Sequence, residues 1–418
     1  MRRELRGLER TMVQVGPLMG PDVVVGCFEG ALPAGVLRRA VDRLQMQHAA
    51  LRCRVEGDEL VVGGPVPVSV DIVDGDWRAH AEAELGRPLR LHDAEAFRVV
   101  LAPGAVILSV HHALVDGTSL LRLLRDLLDH CAAVSAGRNE PVTCEPLAPA
   151  VLDAVDGAFW QDLAGPVASW LAPHIVEHDQ RSLLAEGAKE GPVRSVCVFG
   201  EGTSAGMDRL AAACRVHGVT VGGAAMAAGS FALGRVRAAR TGVLAPVAVE
   251  VEVDLRRRAD PVIPGDRVGF HTGGVRTNTP GDLDFWSLAR WLKADVERDI
   301  GLGIPRFAHC IADGLDWQPR SAPGAWVAVS NLGRFPHRTT YGTLVLTGVF
   351  GMNGAVPGGP AVMLWLRCVN GRLCFNAVGS APTVTRAELE DIGHVFLGLL
   401  EQPCALRLSD WAGARRAA

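Results

Sequence analysis

Residues 105–117 read Ala105-Val106-Ile107-Leu108-Ser109-Val110-His111-His112-Ala113-Leu114-Val115-Asp116-Gly117. The first six are nearly all apolar, follow Pro103-Gly104 and run into a loop. A short apolar run with such borders predicts a buried strand. Successive side chains on a strand point to opposite faces, so two adjacent histidines at its end cannot share one task. One ring enters whatever space lies on one side, and the other packs away from it. Gly117 then frees the backbone for a tight turn, and Thr118 or Ser119 is the expected cap of a helix through residues 120–128. The local unit is strand, histidine loop, helix: a rigid mount for one imidazole.

The rest of the chain sets bounds on what that imidazole serves. A length of 418 residues with 48% hydrophobic content predicts two domains with sizeable cores rather than a disordered chain. With 42 basic residues against 46 acidic ones, no basic excess is available for nucleic acid. The 10 cysteines show no framework spacing and no CxxC pair, which fits a reducing cytoplasm. No stretch reaches the ~18 apolar residues of a membrane span, and the N-terminus lacks the apolar core of a signal peptide.

Two other motifs compete. Gly202-Thr203-Ser204-Ala205-Gly206 spells GxSxG between an expected strand at 193–199 and a helix at 207–216. That is the setting of an esterase nucleophile. A hydroxyl between a strand and a helix is also a helix cap, and the strand–helix units a hydrolase needs before its serine are missing, so the capping reading is preferred. His174 and His178 are spaced to share a helix face, but without a third ligand they predict no zinc site. No phosphate-binding glycine loop is present either, and no metal or nucleotide cofactor is expected.

The pattern His111-His112-x-x-x-Asp116-Gly117 resembles the HHxxxDG signature of the acyltransferase superfamily. That superfamily includes chloramphenicol acetyltransferase, plant alcohol acyltransferases, nonribosomal-peptide condensation domains and mycobacterial polyketide-associated acyltransferases. Further segments resemble it too. They include an amphipathic helix at 32–44 leading into His48-Ala49-Ala50-Leu51-Arg52, the stretch 87–99, and Gly218-Val219-Thr220-Val221 with its alanine-rich helix, where Thr220 is a cap. Val253-Asp254-Leu255-Arg256, Val268-Gly269-Phe270 and Val329-Ser330-Asn331-Leu332-Gly333 resemble the polyketide-associated branch most closely. Two departures stand out. Phe270 replaces a common asparagine, and the plant-type DFGWG is absent.

The resemblance implies an α/β (α+β) fold of two chloramphenicol-acetyltransferase-like lobes, each a mixed sheet with helices, with a substrate tunnel between them. The lobes are expected at 1–185 and 186–418, with the glycine-rich stretch 348–359 either crossing between them or forming bulges. It further implies that His112 is the general base and that Asp116 is structural, held by an arginine. Arg256 is the expected partner, while Arg257 and Arg258 are solvated. His111 and Gly117 complete the structural set, with backbone near Gly117 as an oxyanion donor, and Ser330, Asn331 and His271 are candidates to line the tunnel. The implied activity moves an acyl group from a thioester, on coenzyme A or on the phosphopantetheine of an acyl or peptidyl carrier protein, to a hydroxyl of a specialised metabolite. No covalent acyl-enzyme and no bound cofactor are expected. An amine acceptor, or a non-catalytic binding module, stands as the alternative.

Overall fold

The computed structural model describes all residues except 139, 155–193, 243–246, 278, 282, 314–325, 357–358, 382, 404–406 and 408–418. The pair His174 and His178 and the expected boundary at 185/186 fall outside the described residues.

The chain opens with β1 (Arg2–Glu4), α1 (Leu8–Met19), β2 (Asp22–Glu29) and α2 (Ala34–Gln47). There follow β3 (Cys53–Glu56), β4 (Glu59–Val62), β5 (Val70–Ile72), α3 (Trp77–Leu85), β6 (Phe97–Ala102), β7 (Ala105–Val110) and α4 (Gly117–Ser135). The second half contributes β8 (Arg194–Glu201), α5 (Ser204–His217), α6 (Val221–Thr241), β9 (Val249–Asp254), β10 (Thr272–Thr277), α7 (Phe285–Gly301) and α8 (Ile304–Asp313). It ends with β11 (Val327–Arg334), β12 (Thr340–Tyr341), β13 (Leu344–Asn353), β14 (Val362–Val369), β15 (Arg372–Ala381) and α9 (Arg386–Glu401).

Two six-stranded mixed sheets carry the two lobes. The first runs β12-β13-β2-β7-β6-β5 and the second β10-β9-β11-β14-β15-β8. A small sheet of β1, β4 and β3 flanks the first lobe. All six residues of β7 are buried, because the strand lies between β2 and β6 with its apolar side chains packed on both faces. The histidine loop thus leaves from the end of a central strand of the first sheet.

The lobes do not divide cleanly along the sequence. β12 and β13 belong to the second half, yet β13 pairs antiparallel with β2 in the first sheet. The glycine-rich stretch is therefore largely strand, and its crossing between lobes is made by sheet pairing. A register shift between Leu346 and Gly348 also makes it a bulge. On the second sheet, Val249, Val253, Val327 and Val329 pack with α6, α7 and α9 in one core. Ala328, Met363 and Trp365 point the other way and pack with the first lobe. The inter-lobe face of the second sheet is thereby assigned.

α4 begins differently from the sequence expectation. Its cap is Asp116, whose Oδ1 accepts from the backbone N–H of Ser119 at 2.8 Å, in place of Thr118 or Ser119. Gly117 is the first helical residue. A Cβ there would lie 2.9 Å from Leu332 Cδ2 and 3.2 Å from Trp365, so its glycine lets the second lobe approach the helix start. Thr220 caps α6 through Gly223 N–H at 3.0 Å. Thr203 caps α5 through Gly206 N–H at 2.9 Å, which leaves Ser204 as an exposed first-turn residue.

Candidate active site

After β7 the chain turns into a single-turn 3-10 helix, His112–Leu114, and the two histidines diverge there. His111 is buried against α1: a Cβ on Gly16 would lie 2.8 Å from its Nε2. Its Nδ1 accepts from Ala113 N–H at 3.2 Å. Burial, with His112 adding a smaller effect, pushes its pKa down to about 3, so this ring is a neutral structural element.

His112 turns the other way. Its Nδ1 lies 2.6 Å from Oδ2 of Asp22, the first residue of β2, whose side chain is fully buried. Its ring packs edge-on to Phe270 with centroids 5.2 Å apart. Burial alone would lower the pKa of His112, but the Asp22 carboxylate outweighs it, helped by Glu252 and Asp116, and the net shift is upward. Burial raises Asp22, and the neighbouring imidazole opposes that rise. With Nδ1 facing Asp22, Nε2 has no hydrogen-bond partner among the described residues. His112 keeps 15% of its side-chain surface accessible, against a fully buried Asp22.

Asp116 and Arg256 form the joint beneath this site. Arg256 Nη1 donates to Asp116 Oδ2 at 2.7 Å and Nη2 to Oδ1 at 3.1 Å, a two-pronged pair with Arg256 fully buried. Asp116 Oδ2 also accepts from His271 N–H at 2.9 Å. Ser119 Oγ accepts from Arg256 Nη2 at 2.8 Å and from Gly269 N–H at 3.0 Å. Burial would raise the Asp116 carboxyl, but Arg256 and these hydrogen bonds bring it down to about 2. Every buried oxygen of the carboxylate is satisfied, the condition under which a buried ion pair is tolerated. Because Asp116 belongs to the first lobe and Arg256 to the second, the pair also ties the lobes together. Arg257 and Arg258 are exposed.

The three candidate tunnel residues separate. Ser330 pairs in register with Trp365 on the inter-lobe face. Asn331 faces the opposite way: its Nδ2 is 3.2 Å from where a Cβ of residue 222 would stand, at the start of α6. His271 is buried, with Nε2 3.1 Å from the Pro149 carbonyl and its pKa lowered to about 4, chiefly by burial and then by Arg256. It is a clamp between the two lobes rather than an open wall. Phe270, in place of the expected asparagine, is buried with its ring against His112. Asp22 was not anticipated; an acidic residue directly before the apolar run Val23-Val24-Val25 is the only sequence signal it carries.

Residues 202–367 match the family described as phthiocerol/phthiodiolone dimycocerosyl transferase C-terminus. Polyketide synthase associated protein 5 from Mycobacterium tuberculosis superposes with a TM-score of 0.64 at 17% identity, over 96% of this chain and 98% of that one. The first condensation domain of the calcium-dependent antibiotic synthetase gives 0.70 at 15% identity, over 98% and 99%. Trichothecene 15-O-acetyltransferase from Fusarium sporotrichioides gives 0.72 at 13%, over 96% and 95%. A search of curated protein sequences finds no significant match. No single helix among the described residues is long and apolar enough to cross a membrane. The described chain therefore shares the two-lobed fold of condensation domains and related acyltransferases, and residues 202–367 match an acyltransferase family model.

Proposed function

We propose that this chain moves an acyl group from a thioester, carried on coenzyme A or on the phosphopantetheine of a carrier protein, to a hydroxyl acceptor. The observation that carries the reading is the divergence of the histidine pair. His111 is sealed against α1, whereas His112 keeps accessible surface with Nδ1 on a buried carboxylate.

In this reading the acceptor hydroxyl gives its proton to His112 Nε2 as its oxygen attacks the thioester carbonyl. Asp22 stabilises the imidazolium that forms. The tetrahedral intermediate places negative charge on the former carbonyl oxygen, and the unsatisfied N–H groups that open α4 at Gly117 are the donors proposed for it. Collapse breaks the carbon–sulfur bond, and the leaving thiolate takes the proton back from His112. An ester and a free thiol result. The Asp116–Arg256 pair takes no proton; it holds the loop and the facing second lobe in register, which is how two substrates gain effective concentration.

The printed identities of the similar structures, a polyketide-associated protein and a synthetase condensation domain among them, support a specialised-metabolite setting and a carrier-borne donor. Free thiol released from acyl thioesters in the presence of alcohols, by wild type and by His112→Ala, tests the proposal.

A further inference from the structure

On β14 the side chains that face the first lobe are Met363, Trp365, Arg367 and Val369. Arg367 is thus a cation set among apolar neighbours between the lobes, and it is 4% exposed. Its Nη2 donates to the Leu332 carbonyl at 2.8 Å, whereas Nε and Nη1 have no hydrogen-bond partner. The Phe335 ring centroid stands 5.6 Å from its Cζ.

The other buried arginines among the described residues are Arg98, Arg122 and Arg256. Each holds a carboxylate: Glu84 at 2.8 Å, Asp126 at 2.6 Å and Asp116 at 2.7 Å. Arg367 holds none among the described residues, and the only charges that act on it come from Cys374 and Cys368. On the helix that packs on β11, Asp126 and Asp129 are already taken by Arg122, Arg125 and Arg338. Burial brings the guanidinium's pKa down to about 9, which still leaves it charged at neutral pH.

Its position ties it to the candidate active site. Leu332, whose carbonyl it binds, has Cδ2 2.9 Å from where a Cβ of residue 117 would stand. Trp365, two residues back on the same face, comes within 3.2 Å of that point. The guanidinium and the start of α4 therefore share one seam between the lobes. Its neighbours at that seam, Leu332 and Phe335, are only half-buried, and Gly333 and Arg334 between them are exposed.

We infer that Arg367 receives the anionic group, a phosphate or a carboxylate, of a substrate lying between the lobes. An unpaired buried charge weakens the fold that carries it. An oxyanion at Nε and Nη1 offsets that cost through charge-assisted hydrogen bonds. The inference rests on the acyl-transfer reading for what the substrates are, and adds that one of them is an anion. The source is the donor, through the phosphate of its pantetheine arm, or the acceptor, through a carboxylate.

The test is isothermal titration calorimetry on the full chain with two matched pairs of probes: phosphopantetheine against pantetheine, and hexanoate against 1-hexanol. Wild type, Arg367→Met and Arg367→Lys are compared, and each is melted without ligand. In at least one pair, wild type is expected to bind the anion about tenfold or more tightly than its neutral partner, the size of a hydrogen bond to a charged group. Preference in the first pair names the donor, and in the second the acceptor. Arg367→Met should lose the preference, Arg367→Lys should keep part of it, and Arg367→Met should melt no lower than wild type, since an apolar side chain replaces an unpaired charge. Equal binding within both pairs, as water alone in the site would give, overturns the inference. So does a preference unchanged in Arg367→Met, or a melt of that variant well below wild type, which would make the guanidinium part of the fold. Thiol release by wild type is measured apart from these ratios, so failure of the acyl-transfer reading is told from failure of this one.

Discussion

Asp22 and His112 are distant in the chain, yet Asp22 Oδ2 lies 2.6 Å from His112 Nδ1. The sheet makes this meeting: β2 pairs antiparallel with β7, and the register sets Asp22 opposite Val110, two residues before the histidine. A carboxylate fully buried at the start of a central strand is thereby brought to Nδ1 of the ring, on the side away from Nε2.

Replacing Asp22 by Asn should lower the rate and move the pH profile in a defined direction. Asp22 holds the pKa of His112 above its ordinary value by stabilising the imidazolium. Without that charge the ring loses its proton at lower pH, so the acid limb of kcat/KM shifts to lower pH. The plateau falls at the same time, by part of the roughly 10²–10⁴-fold that a positioned base supplies. A pH–rate profile of both proteins checks the two effects together.

The Asp116–Arg256 pair predicts a stability effect. Arg256→Met leaves a buried carboxylate without its partner, a loss on the order of 3–5 kcal/mol, measured by chemical denaturation. The pair also sets an acid limb of stability. Asp116 drops from 3.8 to about 2 on folding, so its contribution is complete above pH 3.8 and disappears as the pH falls through about 2. That contribution is about 2 kcal/mol, and Asp116→Asn should flatten this part of the curve.

Gly117 predicts a steric effect between the lobes. Gly117→Ala adds a Cβ 2.9 Å from Leu332 and 3.2 Å from Trp365. The crowding should cost about 1–3 kcal/mol, outweighing the gain of up to ~1 kcal/mol from replacing glycine in a helix. Adding Leu332→Ala to the same chain should recover part of the loss, because it removes the nearer obstacle. Thermal melts of the two single variants and the double variant read this coupling.

Much of this arrangement was readable from local sequence. The strand at 105–110 and the helix after it follow from apolar periodicity and from Pro103-Gly104 and Gly117 as punctuation. The cap of α6 follows from Thr220, and at GxSxG the capping hydroxyl is that of Thr203, beside the serine rather than the serine itself. What local sequence does not contain is pairing. Asp22 becomes a partner of His112 only through the β2–β7 register, and β13 joins the first sheet by a non-local pairing that no run of residues announces. The cap of α4 was misplaced by three residues at most, because Asp116 serves at once as cap and as ion-pair partner. Where Asn331 and His271 sit is settled for a related reason: a strand's facing and a ring's buried partner both depend on distant segments.

The most direct test of the central claim is thiol release from a panel of acyl-coenzyme A and acyl-carrier thioesters mixed with alcohol and amine acceptors. Wild type, His112→Ala and Ser204→Ala are compared. Wild type and Ser204→Ala are expected to release thiol and form the acylated product, while His112→Ala loses both. Activity lost only in Ser204→Ala, or kept in full by His112→Ala, would contradict it.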